Sequence, residues 1–300
     1  MRYFICAFLA LAVMGLRATS AMGGESGAGV EAYKIGDASV WAVADSMGDR
    51  DMNVFADADP ALLQQYAPSG KSPSAIMTFA VKLGQEVILI DTGLGEPSGD
   101  RASGLLSGLS QIGISPESVT LILVTHMHAD HIGGLEREGQ KVFPSARVIL
   151  GRVERDFWLG EKSMEQFPDR KANFEMARRV ADLYGDAVEA LDFDAEATPG
   201  IRILDARGHT PGHSAFLLES GGEKLLFWGD LVHAAALQFP RPDINARYDM
   251  MPLEASAARA RFMEMAAAEN LPIAGMHLPF PGVGRVEKTG NSSYVYKPGL

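Results

Sequence analysis

Cysteine occurs once in the 300 residues, as Cys6. Beyond that position the chain can form no internal disulfide, no thiolate metal site and no thiol nucleophile. Basic residues are outnumbered, 27 Lys and Arg against 38 Asp and Glu, for a formal charge of −11. A surface that acidic repels phosphate backbones, so no nucleic-acid partner is expected. The long apolar run, Tyr3 to Leu16, has 14 residues, short of the ~20 that a membrane span needs. There is no internal repeat and no low-complexity block. What remains is an ordinary globular composition, 47% hydrophobic and 22% charged. It has enough chain for one large domain or two small ones.

The first residues read as an address. Arg2 precedes the apolar run, and Thr19-Ser20-Ala21 supplies the small residues of a cleavage site. We expect a signal peptide over 1–21 and a periplasmic or secreted product without membrane contact; an uncleaved anchor is the alternative. Without Arg2 and Arg17 the balance becomes 25 bases against 38 acids, or −13. Residues 22–29 are Gly/Ser-rich and read as a flexible lead-in, followed by a single domain over 30–300. With no disulfide, that domain must rest on core burial and on any bound metal.

Within it, Val30 to Ala44, Ala75 to Leu83 and Glu86 to Ile90 read as strands, the last ending in Asp91-Thr92-Gly93. Asp45 to Gln65 reads as a surface loop with a short helix. Leu105, Leu106, Leu109 and Ile112 fall at helical spacing. Val119 to Thr125 is a continuous β-rich run, as expected of a strand buried on both faces. Val148 to Leu150, Ile201 to Ala206, Ser214 to Glu219 and Lys224 to Trp228 are further strands. Glu161 to Leu191 and Glu254 to Glu269 read as helical, and Ile273 to Met276 as a final buried strand. Strands with intervening helices in each half predict an α/β layered domain.

All seven histidines lie after residue 125, and three of them fall in His126-Met127-His128-Ala129-Asp130-His131. Imidazole and carboxylate are ligands for zinc and similar divalent ions, and a loop at the end of a buried strand can aim several inward. Further ligand types close other strand-like runs: His209 in Gly208-His209-Thr210-Pro211-Gly212-His213, Asp230 after Gly229, and His277 after Met276. In layered α/β folds such strand ends share one rim. His126, His128, Asp130, His131, His209, Asp230 and His277 are too many for one tetrahedral ion. They suit two ions sharing a bridge. By spacing alone, His213 is as eligible as His209. His233 could face a substrate or simply pack beside the site.

These motifs resemble those of the metallo-β-lactamase-fold hydrolases. The likeness rests on Thr125 to Gly134, Gly208 to His213, Gly229-Asp230, Gly275-Met276-His277 and Asp91-Thr92-Gly93, and runs from about Val30 to the C-terminus. It implies an αββα sandwich with two divalent metals at one edge, zinc first, with manganese, cobalt or iron as other candidates. It assigns His126, His128 and His209 to one metal and Asp130, His131 and His277 to the other, with Asp230 bridging. It takes His209 rather than His213 as the ligand. Asp91 then orients ligands by hydrogen bond, and His213 bonds nearby backbone.

Branches of that superfamily can be separated. Its β-lactamases generally lack the bridging Asp or use a Cys ligand. The glyoxalase II branch adds a glutathione-binding domain, for which the short segment after His277 leaves no room. The methyl parathion hydrolase and lactonase branch is similar in Gly229 to His233, Gln238 to Asp243 and Met276 to Gly282. One departure is His233, where typical N-acyl homoserine lactonases carry a Tyr that meets the substrate carbonyl. The resemblance implies a dinuclear hydrolase of an ester, lactone or phosphotriester that attacks with a metal-bridging hydroxide. Asp130, Asp230 or His233 would carry the proton to the leaving group. Phe239, Leu278 and Phe280, with Met47, Met52 and Phe55 on an N-terminal flap, either form an apolar mouth for a small neutral hydrophobic substrate or belong to the ordinary core. The sequence does not give the oligomeric state; a homodimer is compatible with the resemblance, since dimers are common in that branch. The competing readings are an iron-dependent sulfur oxygenase of the same fold and a metal-stabilised binding protein without turnover.

Overall fold

Alternation within the apolar strands sets the layers. In the computed structural model, which describes residues 29–55, 58–95 and 104–300, Ile88 and Ile90 face one side of a sheet while Leu89 faces the other. Leu121 and Leu123 likewise oppose Ile122 and Val124. The period of two thus feeds two cores from one continuous apolar run, as expected for a strand covered on both faces.

That sheet has seven strands, adjacent in chain order: Val30–Ile35, Ala38–Asp51, Lys71–Leu83, Glu86–Ile90, Leu121–Val124, Arg147–Gly151 and Val188–Leu191. The first four pair antiparallel, and the rest continue in parallel. A second seven-stranded sheet follows: Glu196–Thr198, Ile201–Asp205, Ser214–Ser220, Glu223–Phe227, Ile273–Ala274, Val283–Gly290 and Ser293–Pro298. It is antiparallel apart from the parallel pairing of Glu223–Phe227 with Ile273–Ala274.

Phe79, Val81, Ile88 and Leu123 of the first sheet meet Ile203, Phe216, Leu218 and Phe227 of the second in the central core. Helices Leu105–Gln111 and Lys171–Tyr184 cover the outer face of the first sheet through Leu109, Phe174, Ala177 and Val180. Helix Pro252–Ala268 covers the second with Ala258, Phe262, Met263 and Ala266. This is the expected αββα sandwich. No helix among the described residues is long and apolar enough to cross a membrane.

Three local expectations need correction. Asp45 to Asp51 is not loop but the second half of the strand Ala38–Asp51, paired with Lys71–Ile76 across a register shift at Ala44/Ser46. The segment read as helical up to Leu191 ends its helix at Tyr184, and Val188–Leu191 joins the sheet beside Arg147–Gly151. Its half-buried residues lack the apolar run that marks an interior strand. Ile273 is not in the last strand: Val283–Gly290 and Ser293–Pro298 form a polar antiparallel edge pair beyond it. The proposed signal segment over 1–21, and the lead-in up to Ala28, lie outside the described residues.

Candidate metal centre

The strand ends converge as the spacing predicted. Leu121–Val124 delivers Thr125 and the short turn that carries His126 to His131. His209, Asp230 and His277 follow the strands that end at Asp205, Phe227 and Ala274. Six of these seven side chains are buried; Asp130, with 29% of its side chain exposed, is the one solvent reaches.

Two groups of three form around a shared carboxylate. His126 Nε2 and His209 Nε2 each lie 3.0 Å from His128 Nδ1. Asp130, His131 and His277 make the second group, with ligand atoms within 4.8 Å of one another. Asp230 stands between them. Its Oδ1 is 3.2 Å from His131 Nε2, and its Oδ2 is 3.0 Å from His277 Nε2 and 3.4 Å from His209 Nε2.

The inward ring nitrogens are selected by what holds the outward ones. His277 Nδ1 faces the Ala75 carbonyl at 3.1 Å, and a carbonyl only accepts, so this nitrogen carries the proton. His131 Nδ1 donates to Asp91 Oδ2 at 2.8 Å, and His209 Nδ1 donates to Asp249 Oδ1 at 2.9 Å. Each such bond fixes the proton on Nδ1, so in the neutral ring Nε2 is the lone pair aimed at the centre. Asp91, held at a left-handed φ of 59°, also accepts from Thr125 N–H at 2.7 Å and its hydroxyl at 2.8 Å. It therefore ties two strand-end loops together, in the orienting position expected for it.

Burial, reinforced by neighbouring rings, pushes His126 and His128 well below the ordinary imidazole range, so both are neutral. Despite its burial, Asp230 is held well below the carboxylate range by His131 and His277, whose own pKa values the neighbouring aspartates raise above the ordinary imidazole range. His131 Nε2 and Asp230 Oδ1 are buried with no hydrogen-bond partner. Orphaned acceptors and neutral lone pairs packed this closely fit divalent cations, whose charge offsets the desolvation of the two aspartates.

The choice between His209 and His213 is settled by hydrogen bonding. His213 Nδ1 donates to Ala206 O at 2.9 Å, and its Nε2 accepts from Asp230 N–H at 2.9 Å. Both ring nitrogens are thus used by backbone, and burial keeps the ring neutral, its pKa down at about 3. The close approach needs Gly229, whose φ of 58° and missing Cβ leave room for the His213 ring. His233 both packs and faces the cavity. Its Nε2 is 3.1 Å from Asp230 Oδ2, its ring stacks on His277 at 5.2 Å, and it lines the pocket above the cluster.

Two positioning residues were not foreseen from the sequence. Glu154, fully buried on helix Arg152–Leu159, accepts from Met127 N–H, Trp158 Nε1–H, Thr210 Oγ1–H and Gly212 N–H at 2.6–3.0 Å. It therefore fastens the His126–His131 turn to the Gly208–His213 loop; Gly212 allows the approach because a Cβ there would collide with Glu154 backbone. Asp249 holds His209 with one oxygen and the buried Arg259 Nη2 with the other at 2.9 Å. A lone acid far from any motif carries no sequence signal for either role. Asp249→Ala is expected to weaken zinc binding about 10–100-fold in a chelator competition, as outer partners of metal-binding histidines do. Unchanged affinity would show that His209 needs no such support.

The expected apolar mouth is not there. Phe239 and Leu278 are buried in the core under helix Pro252–Ala268, and Phe280 packs against the central core. Each follows a site residue in sequence, but the chain turns its side chain inward, toward apolar neighbours. Met52 and Phe55 pack with Ala234, Leu237 and Ile244, while Met47 is exposed. The cavity over the cluster, about 250 Å³, is lined by five of the seven (His128, Asp130, His209, Asp230 and His277) and by Arg50, Ala129, Arg170, Asn173, His233 and Tyr248.

Residues 73–275 match the pattern of the Metallo-beta-lactamase superfamily. The chain belongs to that superfamily. Among its members, an N-acyl homoserine lactonase from a Bacillus species is 26% identical over 154 residues, 44% of this chain and 54% of the lactonase. A beta-lactamase-like protein 2 homolog from Caenorhabditis elegans is 27% identical over 156 residues, 52% of this chain and 43% of its own. The chain thus spans about half the length of the curated relatives it matches. Solved structures of the superfamily align more fully. The hydrolase AbOPH matches with a TM-score of 0.84 and 30% identity over 92% of this chain and 99% of its own. AidC, a dizinc quorum-quenching lactonase, matches with a TM-score of 0.82 and 26% identity over 91% and 98%.

Proposed function

We propose that this protein is a dinuclear metal-dependent hydrolase of esters, lactones or phosphotriesters, akin to the lactonase and methyl parathion hydrolase branch. The observation that carries the reading is the pair of three-ligand groups joined through Asp230. Similarity to a dizinc lactonase and to N-acyl homoserine lactonases supports both zinc and carbonyl chemistry. His126, His128 and His209 would hold one ion, Asp130, His131 and His277 the other, and Asp230 both. Two bound divalent ions supply Lewis acidity and an activated water at neutral pH.

The chain's own groups do the rest. His233 lines the cavity with its Nε2–H held on Asp230 Oδ2, so it orients that carboxylate, and this N–H must leave Asp230 before a substrate carbonyl or leaving oxygen can accept it. It fills the place of the Tyr in typical lactonases. Asp130, the one ligand with solvent access, is placed to pass a proton outward. We read the first 21 residues as an export signal and therefore place the enzyme in the periplasm or outside the cell.

The test is a hydrolysis panel of lactones, aryl esters and phosphotriesters with the zinc-loaded chain, alongside metal analysis. Two zinc equivalents per chain and turnover on at least one class are expected. A single redox-active iron would replace the reading with oxygenase chemistry, and full occupancy without any turnover would leave a binding protein.

A further inference from the structure

Two arginines line the cavity, although the chain as a whole carries a formal charge of −11. Arg50 enters from the strand Ala38–Asp51, and Arg170 from the turn before helix Lys171–Tyr184. Among the described residues neither guanidinium has a carboxylate within 4.0 Å. The arginine ion pairs there lie elsewhere, on the surface or at the buried Arg259. Arg50 Nε is buried and makes no hydrogen bond; the guanidinium lies 5.8 Å from the centre of the Tyr248 ring. Arg170 reaches only the carbonyl of Arg247, at 3.5 Å. The two acids that share the cavity contact histidines, Asp130 with His131 and His277, Asp230 with the histidines around it.

Two arginines without a carboxylate partner among the described residues give one small cavity a fork-shaped donor set. Asn173 adds an amide from the same helix as it passes the cavity, and Tyr248 adds a ring face and a hydroxyl. Arg50 and Tyr248 also border a wider groove of about 1000 Å³ lined by Ser46 to Asp51 and Ser74 to Ile76, so the cavity opens to solvent past them.

We propose that Arg50 and Arg170 form a subsite for an anionic oxygen group, carboxylate or phosphate, carried by the substrate away from the bond that is cut. The inference rests on the proposed hydrolase reading and names its substrate class: esters or lactones with an acidic substituent, in place of the neutral hydrophobic molecule expected from the sequence. The reacting carbonyl lies toward His233 and Asp230, and the anion lies across the cavity on the guanidinium pair.

The experiment uses the zinc-loaded full chain with mono-4-nitrophenyl esters of succinate and glutarate, their methyl-capped diesters, and a matched 4-nitrophenyl ester ending in a phosphate. The wild type is expected to favour the charged esters over the capped ones by roughly tenfold or more in kcat/KM, the range for hydrogen bonds to charged groups. In Arg50→Gln and Arg170→Gln that ratio should fall toward one, carried mainly by KM, and Arg50→Lys should restore part of it. The carboxylate and phosphate arms decide which anion fits. Calorimetric titration of the metal-free chain with glutarate gives an independent readout, with binding at least several-fold weaker in Arg50→Gln. Equal kcat/KM for charged and capped esters in the wild type would overturn the subsite while leaving the hydrolase intact. No hydrolysis of any ester, with glutarate binding still lost in Arg50→Gln, would overturn the hydrolase reading and keep the subsite. Glutarate binding that is the same in wild type and Arg50→Gln would overturn the subsite.

Discussion

Asp230→Ala is expected to lower turnover by roughly 10³-fold and to cut bound zinc from two equivalents to one or fewer. The carboxylate lies 3.0–3.4 Å from ring nitrogens of both three-residue groups, so its loss removes the group that joins them. Charge stabilisation by a metal pair is worth several kcal/mol in a transition state, and each 1.36 kcal/mol is about tenfold in rate. The fold should survive, because Asp230 N–H still donates to His213 and the strand before it is fixed by Trp228 N–H on Ala274 O. Metal analysis, steady-state hydrolysis and circular dichroism together check the outcome. A variant with two zinc equivalents and near-normal turnover would remove the bridged centre from consideration.

The largest loss of stability is expected at Glu154→Ala. Four donors from three separate segments end on this carboxylate, and all are buried. Leaving buried donors without partners costs about 1–3 kcal/mol each before relaxation. Neighbouring losses are not additive, and water can enter the space vacated, so a total of roughly 3–5 kcal/mol is the reasonable scale. For a domain of this size that corresponds to a fall in Tm on the order of 10 °C. Zinc affinity should fall with it, since Met127 lies between His126 and His128, and Thr210 follows His209. Glu154→Gln tests the cause. Its amide presents a second donor toward Thr210 and Gly212; the Thr hydroxyl can rotate away but the Gly212 N–H cannot. An intermediate Tm is expected, and a wild-type Tm in Glu154→Ala would show that the four bonds contribute nothing net.

Much of the centre is legible in the amino-acid order because its chemistry is local. His126, His128, Asp130 and His131 occupy six consecutive positions after a β-rich run, and a strand end fixes where such a turn must point. His209, Asp230 and His277 are readable for the same reason, each closing an apolar run. What fails is reading by adjacency. Phe239 and Leu278 sit next to site residues in the chain, yet their apolar surface is more stable in the core than at a polar cavity. The strand Val188–Leu191 escapes a reading by residue type because none of its residues is fully buried, so the apolar run that marks Leu121–Val124 is absent there.

The amino-acid sequence by itself determined the layered α/β class, the seven ligand-type side chains and the lack of any cysteine after Cys6, since each depends on residue type and short-range spacing. Only the tertiary structure decided that His209 and not His213 points inward, and that Glu154 and Asp249 hold the loops. It also brought Arg50 and Arg170 into the cavity that the cluster lines. Those facts depend on which groups are neighbours after folding. His209 and Asp249 are 40 positions apart in the chain, and Glu154 and Gly212 are 58 apart. Only the packing of two sheets brings such pairs within hydrogen-bonding distance.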